Sequence, residues 1–324
     1  IPRLPPFYGA ARTRRCAGRL VQMQNLPQNK MPDRDLDTAR QLVEVGDLET
    51  LEMLFDDISG TLSQLIRTAF IPRPGYRFIV SDFSAIEARV IAWLASEEWR
   101  MEVFKTHGKI YEASAEQMFH LPKGSVKKGD PMRQKGKIAE LALGYGGSVG
   151  ALKSMGALEM GLEESELKPL VNSWRAANPA ITKLWWDTDA AARRTIQTKA
   201  PTKLPFGMGF YKQGPLLKLR LPNGRELSYV KPRIDDDSIT YEGTIQSSGG
   251  WGRIESYGPK LVENIVQATA RDCLAVAIDR LERAGFPVVF HVHDEVKIMS
   301  EPIEWATGLP LKADAYECEY YRKD

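Results

Sequence analysis

The sequence predicts an α+β fold, a mainly antiparallel sheet with a helical subdomain set into it. Three stretches carry this expectation. Tyr76–Asp82, YRFIVSD, is a short apolar run that reads as a buried strand. Residues 97–214 read as mostly helical. Leu216–Val230, LLKLRLPNGRELSYV, reads as a hairpin with Asn223-Gly224 at its turn. A chain of 324 residues has room for one large domain or two subdomains around a real core.

Residues 1–35 are rich in Pro, Arg and Asn and read as irregular. Thr38–Phe70 has helical period, as two helices broken near Gly46, and Pro72–Gly75 marks a turn. After the strand, Ser84–Ser96 reads as a helix with Ile86, Val90, Trp93 and Leu94 on one apolar face. Asp82 therefore falls where a strand meets a helix, a position that presents its side chain at a rim. The helical stretch is interrupted by a loop at LPKGSVKKGDP. Pro259–Ala284 reads as one long helix stopped by Gly285. Val288–Met299, VVFHVHDEVKIM, has two β-like runs flanking His293, Asp294 and Glu295. Adjacent carboxylates at a hairpin tip repel each other, where Asn-Gly would turn the chain at lower cost.

Composition sets the class. The chain is 43% hydrophobic and 27% charged, as in ordinary soluble globular proteins. Its net charge is only +2, so any surface for nucleic acid must be local. Cys16, Cys273 and Cys318 are few, odd in number and far apart, which argues against a disulfide framework or a zinc knuckle and fits a reducing compartment. There is no apolar run of membrane-spanning length and no signal-peptide layout. The expected setting is the cytoplasm of a bacterial or phage-infected cell, with no membrane partner. Ile1 in place of Met is what a fragment or a processed product would show.

Asp82 and Asp294 each end a β-like run. If the two strands are neighbours in one sheet, the carboxylates converge. Two such carboxylates suit a pair of divalent cations that hold the attacking and leaving oxygens of a phosphoryl transfer. Mg²⁺ fits, because it takes a few carboxylates together with phosphate and water. Taken singly, each aspartate reads more simply as a turn or N-cap residue. His291 and His293, taken singly, read as hydrogen-bonded structural groups.

Asp130–Gly147, DPMRQKGKIAELALGYGG, reads as a basic helix. Asp130 is a good N-cap and Pro131 a good first helical residue. Arg133, Lys137 and Leu141 recur at four-residue steps, about 6 Å apart along the axis. The two cations thus point the same way and can grip successive phosphates. Tyr145 lies near that face among Gly144, Gly146 and Gly147, a set able to hold a triphosphate and stack on a base. Lys123, Lys127, Lys128 and Lys135 add charge nearby. A solvated basic helix is an equal reading of the segment alone.

Three segments together resemble the family A DNA polymerases, the DNA polymerase I group, and phage-type members most closely. SDFSAIEARVIAWLA is similar to their motif A, RQKGKIAELALGYG to motif B and HVHDEV to motif C, in family order. TRRCAGRLVQMQNLP (Thr13–Pro27), ENIVQATARD (Glu263–Asp272) and GLPLKADAYECEYYRKD near the end extend the resemblance over nearly the whole chain. It implies a right-hand polymerase core, with a palm from residues 1–96 and 215–324 and helical fingers from 97–214.

The resemblance also implies residue roles. Asp82 and Asp294 would hold two Mg²⁺ ions, with the Phe83 backbone carbonyl as a further ligand. Glu87 would crowd a ribose 2′-OH and so favour deoxynucleotides. Arg133 and Lys137 would hold the triphosphate and serve catalysis, while Tyr145, Leu141 and Tyr111 would line the nucleotide site. Arg15, Asn25, Gln267 and His293 would touch the primer-template duplex, the first and third through minor-groove acceptors common to all correct pairs. Glu295 would be an acid of second rank. Gln267 lies with Glu263 and Arg271 on one polar stripe, which read alone is a solvated face. The implied activity is template-directed addition of dNTPs to a primer 3′-OH.

The chain departs from the family pattern at three places. Arg14 stands where Gly is usual, and Leu141 where many members have Phe or Tyr. Tyr111 stands where many cellular members have His. The family's thumb and proofreading exonuclease would lie upstream of Arg15, which only 14 residues precede. Weak, salt-dependent duplex grip is then expected unless upstream domains or a processivity factor supply it. Three rival readings are a single-subunit RNA polymerase, a primer-template-binding remnant without catalysis, and a two-metal nuclease. Glu87 argues against the first, the undecayed motifs against the second, and the Arg133–Lys137–Tyr145 face against the third.

Overall fold

The computed structural model describes residues 26–27, 29–245, 248–288 and 296–321. It opens with three helices, α1 (Asp33–Val45), α2 (Leu48–Leu54) and α3 (Ile58–Leu65), then a 3₁₀ turn at Ile66–Ala69. Gly46 breaks the run as expected, with φ of +77° in the left-handed region. A second break was not expected. Asp57 caps a new helix by accepting the Gly60 N–H at 2.8 Å, as Asp47 does for Thr50 at 3.0 Å.

Strand β1 (Phe78–Phe83) and helix α4 (Ile86–Ala95) follow, then α5 (Glu98–Lys105), α6 (Ile110–Met118), α7 (Pro131–Leu143), α8 (Val149–Ser154), α9 (Glu164–Ala177) and α10 (Pro179–Thr198). Next come β2 (Thr202–Lys203), β3 (Gly209–Gln213), β4 (Leu216–Arg220), β5 (Glu226–Asp235), β6 (Ser238–Thr244) and β7 (Trp251–Ser256). Helix α11 (Gly258–Arg283), the short helix α12 (Val296–Met299) and strand β8 (Ala313–Cys318) complete the order. The fold is α+β, and every strand pairing among the described residues is antiparallel.

The strands form two sheets. One is the meander β2-β3-β4-β5-β6-β7, and the other pairs β1 with β8. The meander begins at Thr202, inside the stretch expected to stay helical to residue 214. Lys199 closes α10 in the left-handed region, and Pro201, Pro205 and Gly207 then deny a helix its hydrogen bonds or its φ. The β4–β5 hairpin forms where expected, with Leu216 opposite Val230 through Arg220 opposite Glu226, a register one residue away from the one a two-residue Asn223-Gly224 turn would set. Its loop is longer than a two-residue Asn-Gly turn. Leu221 N–H donates to the Arg225 carbonyl at 2.8 Å, enclosing Pro222, Asn223 and Gly224, with Gly224 at φ of +84°.

Strand β1 is half-buried rather than buried: Ser81 and Phe83 point inward while Asp82 is exposed. The second β-like run of VVFHVHDEVKIM is helical, since Val296–Met299 forms α12 and buries Met299. Four apolar-alternating residues suit a strand or one helical turn equally, and packing decides between them. The first run and the acids between lie outside the described residues, except Val288.

Helix α11 runs through the middle of the main core, where Trp174 and Trp185 stack with centroids 5.9 Å apart. Gly258 lets it start hard against α10: an added Cβ would lie 2.2 Å from the Trp185 carbonyl oxygen. Asp189 on α10 accepts the Gly258 N–H at 2.9 Å. Gly285, with φ of +85°, follows the helix end where the sequence placed it. Among the described residues, no helix is long and apolar enough to cross a membrane.

Candidate active site

The β1–α4 junction is built around a buried arginine. Asp82 and Phe83 end β1, and Ala85 then turns into α4 with φ of +51°, a left-handed conformation that costs a residue with a Cβ about 1–2 kcal/mol. The Ser84 N–H donates to the Lys312 carbonyl at 2.8 Å. Arg89, 1% exposed, donates through Nε to the Ser84 carbonyl at 2.7 Å and through Nη1 to the Pro310 carbonyl at 2.8 Å. Burial pushes its pKa down, and the Asp314 charge opposes that. One guanidinium thus ties the strained turn beside Asp82 to the chain that leads into β8. A lone Arg within an otherwise apolar helix face was the signal for it in the sequence.

The next turn carries Glu87, half-buried. The Tyr145 hydroxyl donates to Glu87 Oε2 at 3.0 Å. Two residues implied separately as a sugar gate and a base-side ring are thus joined, 58 positions apart in sequence. The tight path after Tyr145 is set by glycine. Gly146 has φ of +79°, and a Cβ on Gly147 would lie 1.9 Å from the Ala142 carbonyl oxygen.

Helix α7 starts as expected, with Asp130 accepting the Met132 N–H at 2.8 Å and Pro131 in the first turn. Arg133 is held by α6. Its Nε donates to Glu112 Oε1 at 2.7 Å, and its guanidinium lies 5.5 Å from the Tyr111 ring centroid. Lys137 is half-buried and Leu141 is 52% exposed. Lys135 does not add to this face, because its ammonium pairs with Glu166 on α9 at 2.5 Å.

Gly136 explains how α6 comes so close. A Cβ there would lie 2.2 Å from the Tyr111 carbonyl oxygen and 3.1 Å from Ala115. Gly136→Ala is expected to push the two helices apart and to destabilise the fold by about 1–3 kcal/mol. Urea denaturation reads this directly; an unchanged midpoint would mean that α6 and α7 do not approach so closely.

A buried ion pair sits one layer below. Glu140 accepts from Arg100 Nη1 and Nη2 at 2.7 and 2.5 Å, from Ser114 Oγ at 2.7 Å and from Trp174 Nε1 at 3.0 Å. Arg100 Nε donates to Asn178 Oδ1 at 2.5 Å. The network binds α7 to α5, α6 and α9. Sequence reasoning missed Glu112, Arg100 and Glu140, whose partners lie on other helices and leave no period to read.

The stripe on α11 is less exposed than a solvated face. Gln267 Nε2 donates to Glu263 Oε1 at 3.5 Å, Glu263 also takes Lys260 at 2.6 Å, and Arg271 is buried beside Asp272 at 3.0 Å. Asp294, His293, Glu295, Arg14, Arg15 and Asn25 lie outside the described residues. A Mg²⁺ site needs hard oxygen donors. The described residues offer the exposed Asp82 carboxylate and the Phe83 carbonyl, with Asp314 opposite Asp82 across the β1–β8 pair. That donor chemistry fits. Among the described residues, no three His, Cys, Asp or Glu side chains cluster closely enough to hold a metal by themselves.

The chain is similar to known proteins. The chain is 57% identical over 339 aligned residues to the DNA polymerase of Bacillus phage SP02, an alignment that covers 98% of this chain and 52% of that protein. It is 26% identical over 256 residues to the thermostable DNA polymerase I of Thermus aquaticus, covering 76% of this chain and 25% of the relative. Among solved structures, it resembles the POL domain of Pol1 from M. smegmatis, in complex with DNA primer-template and dNTP. That likeness has 18% identity and a TM-score of 0.48, and covers 81% of this chain and 42% of that one, too loose to bear on any residue. The chain thus spans about half the length of its phage relative. The model of DNA polymerase family A matches residues 13–204, more than half of the sequence, and the chain belongs to that family.

Proposed function

We propose that this chain carries the nucleotide-adding core of a DNA polymerase: it joins a dNTP to a primer 3′-OH as directed by a template strand. The observation that carries this reading is the bond between Tyr145 and Glu87. It ties the segment just after α7 to the first turn of α4, five residues after Asp82, and so joins the end of the basic helix to the acid-bearing junction.

In this reading, Asp82, the Phe83 carbonyl and Asp294 would hold two Mg²⁺ ions. Bound there, Mg²⁺ would supply charge to the primer oxygen and the departing pyrophosphate. Arg133 and Lys137 bind the triphosphate and offset the negative charge that grows during transfer. Tyr111, Leu141 and Tyr145 line the nucleotide site. Glu87, pinned by the Tyr145 hydroxyl, fills the space a 2′-OH needs, and its desolvation against that hydroxyl adds an electrostatic cost. Gln267 and Arg15 test minor-groove shape, and Asn25 and His293 seat the primer end. Helices α5–α10 act as fingers over a palm that includes β1, β8 and α11. Primer-template DNA and dNTPs are the partners, and upstream domains or a processivity factor strengthen grip on the duplex.

Primer extension with dNTPs against rNTPs tests this. The parent chain is expected to prefer dNTPs by at least about a hundredfold, and Glu87→Ala to reduce that preference to within about tenfold. A parent preference for rNTPs would show an RNA polymerase. Duplex binding without Mg²⁺-dependent incorporation would show a binding remnant.

A further inference from the structure

The hold on Arg133 has a consequence for nucleotide binding. The guanidinium has two edges. Its Nε is taken by Glu112, and its Cζ lies over the Tyr111 ring, 5.5 Å from the centroid. Neither Nη atom has a hydrogen-bond partner among the described residues. We propose that Glu112 is a positioning residue, holding Arg133 by Nε so that Nη1 and Nη2 present a ready fork to the phosphates of an incoming nucleotide. This rests on the reading of Arg133 as a triphosphate ligand.

Three features support it. First, the contact is partly shielded from water, with the two side chains 26% and 14% exposed, so the pair is stronger than a surface ion pair. Second, Glu112 stays ionised at neutral pH. Burial pushes its carboxyl up, but the Arg133 hydrogen bond, a backbone N–H and the charges of Arg133 and Lys109 outweigh burial and hold it below the usual range. Third, the backbone that carries Glu112 is fixed against α7 by the close approach at Gly136. A free arginine must lose side-chain freedom when it binds phosphate, whereas a held one has lost it already. The guanidinium fork then meets phosphate oxygens in paired geometry without a search.

The test is the apparent KM for dNTP in primer extension by this chain, with kcat measured alongside. Glu112→Ala is expected to raise KM by about tenfold with kcat changed less than about threefold. Glu112→Gln keeps an oxygen for Nε to donate to, and is expected to stay within about threefold of the parent KM. In an Arg133→Ala background, Glu112→Ala is expected to add nothing further, since its effect runs through that guanidinium. Melting of each variant separates a folding defect from a binding one, and Glu112→Gln serves if Glu112→Ala is unfolded: a KM as high as that of Arg133→Ala in a folded Glu112→Gln overturns the proposal. An unchanged or lowered KM in Glu112→Ala, with a raised KM in Arg133→Ala, overturns the positioning role alone. An unchanged KM in Arg133→Ala overturns the triphosphate reading with it.

Discussion

Asp82→Ala is expected to lower Mg²⁺-dependent nucleotide incorporation by at least about 10³-fold. In the proposed two-cation site, losing this carboxylate would remove charge where phosphoryl transfer needs it, and β1 carries no second carboxylate to replace it. Ser81 and Phe83 point into the protein. Asp314, across the strand pair, is engaged at 3.7 Å by Lys312. The fold should tolerate the change. Asp82 is exposed, and the junction beside it is held by Arg89 and by backbone bonds that the substitution leaves in place. Stability is therefore expected to move by no more than about 0.5 kcal/mol. Single-turnover extension and thermal melting on the same sample give both readings. Incorporation within tenfold of the parent would remove Asp82 from the reaction.

The largest effect on stability is expected at Glu140. Glu140→Leu leaves the Arg100 guanidinium, 1% exposed, without its carboxylate, and takes an acceptor from Ser114 and Trp174. Breaking a buried pair from one side costs about 3–5 kcal/mol, because the remaining charge is stranded. The double variant Arg100→Met/Glu140→Leu is expected to recover most of that loss, since burying an ion pair is itself expensive and apolar side chains of similar volume remove the cost. Glu140 stands two turns beyond Arg133 on the side of α7 that meets α6. Loosening it should also blur the register between Arg133 and Glu112. Chemical denaturation of the two variants decides. A Glu140→Leu loss under about 1 kcal/mol would mean that water reaches the site.

Local signals were legible in the sequence, and pairings across the chain were not. Asp130-Pro131, Gly46 and Gly285 each act on the residues beside them, so the start of α7 and the ends of α1 and α11 were readable. The hairpin from Leu216 to Val230 followed from its turn residues, but its register did not, because the loop takes in Pro222 as a third residue. By contrast, β1 pairs with β8 across more than 200 positions, and no period announces such a partner. The run from Val296 to Met299 was too short to tell a helical turn from a strand, and only packing of Met299 decides it. At the site, motif spacing placed Arg133 and Lys137 on one face of α7, and that face formed. The partners of that face did not show. Glu112 lies 21 positions from Arg133 on another helix, and Arg100 lies 40 from Glu140. The Tyr145–Glu87 bond joined two residues the sequence had marked for separate tasks.

Under the proposed function, this chain adds nucleotides as a template directs. The most direct measurement offers each dNTP singly, with Mg²⁺, to four primer-templates that differ only in the first unpaired template base. Extension by one residue is expected only with the complementary dNTP on each template, lost without Mg²⁺ and lost in Asp82→Ala. Addition that ignores the template base, or no addition on any of the four at any chain concentration, would contradict it.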